Sequence, residues 1–172
     1  MVAFPYRMPV AVAPGEVNRA HPFNIEPCSI DQALPPTAFG QALVIDRTTQ
    51  GVRPVQAGDT ALTDVYGFSV RPYPYQSSSA GSYGAAPLGG GVPPVVQAMD
   101  VLRSGYIIVP VVGSPRKGDP VYIWVAASGG GHIQGGAEAA ATAGSTIQLA
   151  STKTTFNGVP DSTGLVEICF NV

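Results

Sequence analysis

Glycine and proline interrupt this chain from end to end: 21 glycines and 17 prolines, 38 of 172 residues, about twice their usual combined share. Proline cannot continue a helix or donate to a sheet ladder, and glycine weakens the interior of either element. A chain so punctuated reads as all-β, with short strands joined by long irregular connections. Its length suffices to bury a real core as one domain.

The strand runs are legible between the breaks. They are "IEPCSI" (25–30), "QALVID" (41–46), "VRPV" (52–55), "DVYGFSVRPY" (64–73), "VVQAMDVLRSGYIIVPVV" (95–112), "VYIWVA" (121–126), "TIQLA" (146–150) and "TGLVEICFNV" (163–172). In 64–73, Tyr66, Phe68 and Val70 alternate with Val65, Gly67, Ser69 and Arg71. Ser104-Gly105 marks a bend or bulge, and Pro110 belongs at an edge or bulge because it lacks an N–H. The run 46–51 is a Gly-terminated reversal. Residues 1–24 read as an extended amino-terminal arm, because Pro5, Pro9, Pro14 and Pro22 forbid helix. Residues 25–172 read as the β domain, a sandwich or barrel-like fold. Two small-residue insertions, 76–94 and 127–145, read as long loops.

The stretch "SGYIIVPVVGSPRKGDPVYIWVA" (104–126) has the look of a hairpin without a wet face. Tyr106, Ile108, Pro110 and Val112 share one side, and Ile107, Val109 and Val111 the other. One-sided sheets alternate apolar with polar, so something must cover the second face, either the same chain or a neighbour. Leu102, Ile108, Val111, Ile123, Trp124, Val125, Leu165, Ile168 and Phe170 are the expected core.

Charged residues are 12% of the chain against 45% hydrophobic, about half the usual charged share. Either neighbouring molecules hide part of the surface, or it is covered by Gly, Ser, Thr and Gln. The net charge is −2, and no Lys/Arg run provides a nucleic-acid footprint. No stretch approaches a membrane span, and "MVAFPYRMPVAVAPGEV" lacks the apolar core of a signal peptide. Cys28 and Cys169 stand near opposite ends of the chain and are expected as buried free thiols, with a disulfide as the alternative.

Motifs for chemistry are missing. His21 and His132 are the only imidazoles; His132, in "GGGHIQGG", reads as a solvated loop residue. No paired Cys/His spacing suits zinc, and no nucleophile elbow or phosphate loop occurs. No cofactor, metal or enzymatic activity is expected. The acids Asp31, Asp46, Asp59, Asp64, Asp100, Asp119 and Asp161 flank strands and turns, where Asp bends backbone. A hydrolase would need two of them facing each other across a deep pocket.

The block "MDVLRSGYIIVPV…RKGDPVYIWVA" resembles the structural cement (capsid decoration) proteins of tailed bacteriophages. "GEVNR" with "IEPCSI", "FGQALVID…DVYGFSVRPY" and "FNGVPDSTGLVEICFNV" follow in the same order from residue 15 onward. The 76–94 insertion and the first fourteen residues depart from that pattern. The resemblance implies a non-enzymatic virion protein on the outer surface of the head. It would clamp capsomers of the major capsid protein and associate with its own copies, as a homotrimer or alternatively a homodimer. No nucleic acid and no membrane are expected as partners. The contact candidates are Phe4, Tyr6 and Met8 on the arm, Tyr73 and Tyr75 beside the long loop, and Arg116 and Lys117 in the polar turn. A lectin-like module using Tyr73, Tyr75 and Tyr83 is the alternative.

Overall fold

The computed structural model describes residues 13–19, 23–59, 65–71, 93, 95, 98–150 and 152–172. No helix occurs among them. The strands are β1 (Asn24–Ser29), β2 (Ala42–Ile45), β3 (Val52–Pro54), β4 (Gly67–Ser69), β5 (Ala98–Val112), β6 (Tyr122–Trp124), β7 (Ala137–Glu138), β8 (Thr146–Gln148), β9 (Thr154–Phe156) and β10 (Leu165–Phe170). They hydrogen-bond in the order β3-β2-β4-β5-β7-β6-β8, with β1 and β10 also on β5 and β9 on β10. The all-β class is borne out. The path does not close on itself, so the molecule is an open, folded sheet and not a closed barrel.

β5 organises everything else. A strand of its 15 residues would span roughly 50 Å if straight. It bends instead at Gly105, whose φ of 134° is hostile to a side chain. The partner changes at the same place. β1 pairs with β5 up to Ser104, and β10 pairs from Gly105 onward. One strand thereby serves two layers, which is how sandwich corners are made. The bend anticipated at Ser104-Gly105 is this corner.

Residues on the two faces of β5 enter different cores. Leu102, Ile107 and Val109 join Phe68, Ile123, Phe156 and Ile168 in the main one. Met99 and Val101 point the other way, onto Ile30, Leu43 and Val52. At about 2 kcal/mol per buried side chain, those five contribute roughly 10 kcal/mol gross, comparable to the whole net stability of a domain. The second face is therefore a true core. Ile108 also has no exposure in the single chain, and Arg19 lies over the neighbouring Tyr106 ring at 4.0 Å. The chain itself covers much of what the alternation left open.

The expected hairpin at 104–126 is not one. β7 lies between its arms, parallel to β5 through Val111↔Ala137 and antiparallel to β6 through Ile123↔Ala137. Pro110 marks a break in pairing on this edge. Val111 N–H donates toward β10, to Gly164 O at 2.9 Å, while Ile108 and Val112 bond across the opposite edge. Alternate residues face opposite edges, so the Pro110 nitrogen falls on that opposite edge and cannot donate. β7 pairs beyond it, and the segment around Gly15 pairs before it, with Gly15 N–H to Ile108 O at 2.8 Å. The same finding corrects 127–145, expected as loop throughout, because β7 lies inside it. β9 also went unread.

Of the expected core, Leu102, Ile108, Ile123, Val125, Leu165, Ile168 and Phe170 are buried, and Val111 is half-buried against the main cluster. Trp124 is a correction. It is half-exposed, with its ring stacked on His132. Cys28 and Cys169 are free thiols, half-buried on strands that flank different halves of β5.

Candidate functional site

Three surface features stand out on this frame. The first is the turn between β5 and β6. Asp119 shapes it by accepting the Arg116 N–H at 2.7 Å on Oδ2. Two further bonds fasten it to β9, Gly118 N–H to Phe156 O at 2.8 Å and Phe156 N–H to Asp119 O at 3.0 Å. Pro115 is buried beneath. Arg116 and Lys117 are exposed at the tip, and neither takes part in an ion pair among the described residues. The clamped backbone has little entropy left to lose on meeting an acidic surface, so the cost of such a contact falls on the two long side chains. The other candidates, Phe4, Tyr6, Met8, Tyr73 and Tyr75, lie outside the described residues, as does Tyr83.

The second feature is a groove of about 640 Å³ beside β2, β3 and β4. Its acids are held in internal pairs. Arg53 reaches Asp59 at 2.9 and 3.1 Å and Asp46 at 3.4 Å. Backbone N–H groups of Thr49 and Thr48 hold the Asp46 carboxyl below the usual carboxylate range. At the other wall Arg103 stacks over Tyr66, 3.4 Å from the ring centroid, and also bonds the Tyr66 carbonyl. The Tyr66 hydroxyl donates to Glu26 at 2.5 Å, which pushes its pKa up to about 12. Apart from the exposed Arg47, its charges are matched locally, so the groove is a braced wall more than a receptor. No group of three metal-ligating side chains occurs among the described residues.

The third lies at the far end of β5. Val112 (40% exposed) and Ile133 (36%) flank a cleft of about 170 Å³. His132 overturns its reading as a solvated loop residue. Its ring stacks on Trp124 with centroids 4.0 Å apart, and its Nδ1 lies 2.8 Å from Oε1 of the buried Glu138. The Gly-rich context hid this, because glycine brings the loop backbone close without leaving an apolar pattern.

The expected bending role of the acids is borne out at Asp31, Asp46, Asp119 and Asp161, which accept backbone N–H groups two to four residues along the chain. Two buried acids escaped notice, Glu138 beside His132 and Glu167. Glu167 gathers Arg19, Asn18 and Asn157 around its carboxylate.

A protein-family profile described as XM1 gp53 minor capsid protein matches residues 1–170. The chain belongs to that family. A search of the curated proteins found no match. Among solved structures, a chain in "The capsid of Myoviridae Phage XM1" superposes with a TM-score of 0.68 at 19% identity, covering 99% of this chain and 98% of that one. At that identity the superposition speaks for the fold, and the family supplies the function. This is a structural protein of a phage capsid. The resemblance read from the strand blocks therefore pointed to the right class of protein.

Proposed function

We propose that the protein is a capsid cement: it binds the outer surface of the head and bridges neighbouring capsomers of the major capsid protein, acting as a homotrimer without enzymatic activity. The observation that carries this reading is the self-sufficiency of β5. Val101, Leu102, Ile107, Ile108 and Val109, which lie on both faces of that strand, are fully buried within a single chain, and only its end at Val112 leaves a large apolar side chain exposed. A protein that joins a finished shell has to fold before it arrives, and this one has the core to do so. A component built into the lattice during assembly can leave such strands to its neighbours.

Family membership supports the capsid setting, and low charge fits a surface covered by others. The exposed pair Arg116 and Lys117 would orient the molecule on acidic capsid surface. The arm residues Phe4, Tyr6 and Met8, with Tyr73 and Tyr75, would add apolar contact. Several modest contacts per oligomer multiply into firm attachment.

Purified protein added to heads that lack it should cosediment with expanded heads and not with unexpanded proheads. Heads deprived of it should release DNA at lower temperature, or on chelation, than complete ones. Equal robustness with and without the protein, or no binding to expanded heads, would overturn the proposal.

A further inference from the structure

The connection from β9 to β10 carries the only asparagine of the chain that is followed by glycine, Asn157-Gly158; Asn18, Asn24 and Asn171 precede Arg, Ile and Val. In such a pair the backbone nitrogen of the second residue lies within reach of the first residue's side-chain amide carbon, and only glycine brings no Cβ to crowd the approach. Around Gly158 the space is open, with nothing within 4 Å of where a Cβ would stand. Gly158 also sits in a bend, just past the rung that Asn157 N–H makes to Glu167 O at 2.8 Å.

The Asn157 side chain has a task in the fold. Its Nδ2 donates to Oε1 of the buried Glu167, whose carboxylate also takes Arg19 and Asn18. An ionised carboxylate accepts and never donates, so this ring of donors holds only while residue 157 supplies N–H groups. An acid at position 157 would set a second negative charge against Glu167. Among the described residues Arg19 is the one cation paired with that acid, and like charges sharing a site oppose each other's ionisation.

We infer that Asn157 is a modification site, where spontaneous loss of ammonia turns the donor into an acid and loosens the segment 13–19 from β10. The Gly158 nitrogen attacks Asn157 Cγ. A new N–Cγ bond closes a succinimide ring, the Cγ–Nδ2 bond breaks, and Nδ2 leaves as ammonia with the proton that the Gly158 nitrogen sheds. Water then opens the ring at either carbonyl, leaving aspartate or isoaspartate at position 157, with no change of oxidation state. The bond to Glu167 restrains the amide, so the step waits on release of Nδ2 and marks the age of the folded protein.

The test ages the full chain at mildly alkaline pH in water enriched in heavy oxygen and maps the peptides by mass spectrometry. Label should enter position 157 ahead of Asn18, Asn24 and Asn171. Gly158→Ala should cut that label about tenfold or more while leaving the denaturant midpoint in place. Asn157→Asp should speed hydrogen exchange in residues 13–19, and it should cost less stability in a Glu167→Gln background than in the natural chain. If Asn157→Asp does not fold, the modified fraction of the aged protein, separated by anion exchange, serves for the exchange measurement. Label at 157 no greater than at the other asparagines, or insensitive to Gly158→Ala, would overturn the modification site. Unchanged exchange in 13–19, or an equal cost in both backgrounds, would overturn its coupling to Glu167.

Discussion

Arg19 and Glu167 join positions 148 residues apart, with the guanidinium Nη2 2.6 Å from Oε1 of a carboxylate that is 2% exposed. The contact locks the segment 13–19 onto β10. Asn18 and Asn157 complete the ring of donors around the same acid. A buried carboxylate that loses its cation keeps its desolvation cost, so Arg19→Ala should destabilise the fold by about 3 kcal/mol, read as a lower denaturant midpoint.

The same acid sets a pH dependence. Burial raises the Glu167 pKa, but the bonds from Arg19, Asn157 and Asn18 outweigh it and hold it below its ordinary 4.5. A group depressed in the folded state contributes stability that is complete above the unfolded pKa and fades as pH falls through the folded one. Denaturant midpoints should therefore decline below about pH 4.5, and Glu167→Gln should flatten that decline while lowering the midpoint at neutral pH. An unchanged acid limb in the variant would show that other carboxylates govern it.

Gly67 marks the tightest approach of β4 to β5. A Cβ there would sit 2.3 Å from Leu102 O and 2.6 Å from Val101 Cγ1. Gly67→Ala should cost at least about 2 kcal/mol by forcing the strands apart. Gly158→Ala, which meets nothing within 4 Å, should stay within about 0.5 kcal/mol. Paired equilibrium unfolding curves distinguish the two.

Reversing the turn charges should separate attachment from folding. Arg116→Glu with Lys117→Glu should leave the melting temperature nearly unchanged, because both side chains are exposed at the tip. Binding to heads should weaken about tenfold or more, with the loss shrinking at high salt. Sedimentation with heads at two ionic strengths reads both effects.

The thiols give a chemical check on the fold. Cys28 is free, and burial pushes its pKa above the ordinary 9.0. Alkylation of Cys28 at pH 8 should be slow and should accelerate well beyond pH 9. Peptide mapping by mass spectrometry gives the rate.

Local chemistry was legible where it acts over a few residues. Alternation and punctuation placed eight of the strands, and Asp31, Asp46, Asp119 and Asp161 read correctly as turn formers because an Asp bonds its own neighbours. Ser104-Gly105 could be marked as a bend, since only glycine adopts φ near 134° readily. The block order carried the capsid family resemblance.

Partnership between distant segments was not legible. Nothing local says that two residues at 137–138 will part β5 from β6, or that Arg19 will find Glu167. Nor does it say that Trp124 will face His132 and not the core. Those outcomes depend on which edges and cavities remain after the long strand has folded around Gly105, and each is a contest among pairings far apart along the chain. The sequence by itself determined an all-β chain with its turns in place. Only the tertiary structure decided which strands meet, because a backbone edge is offered to whatever the rest of the fold brings alongside it.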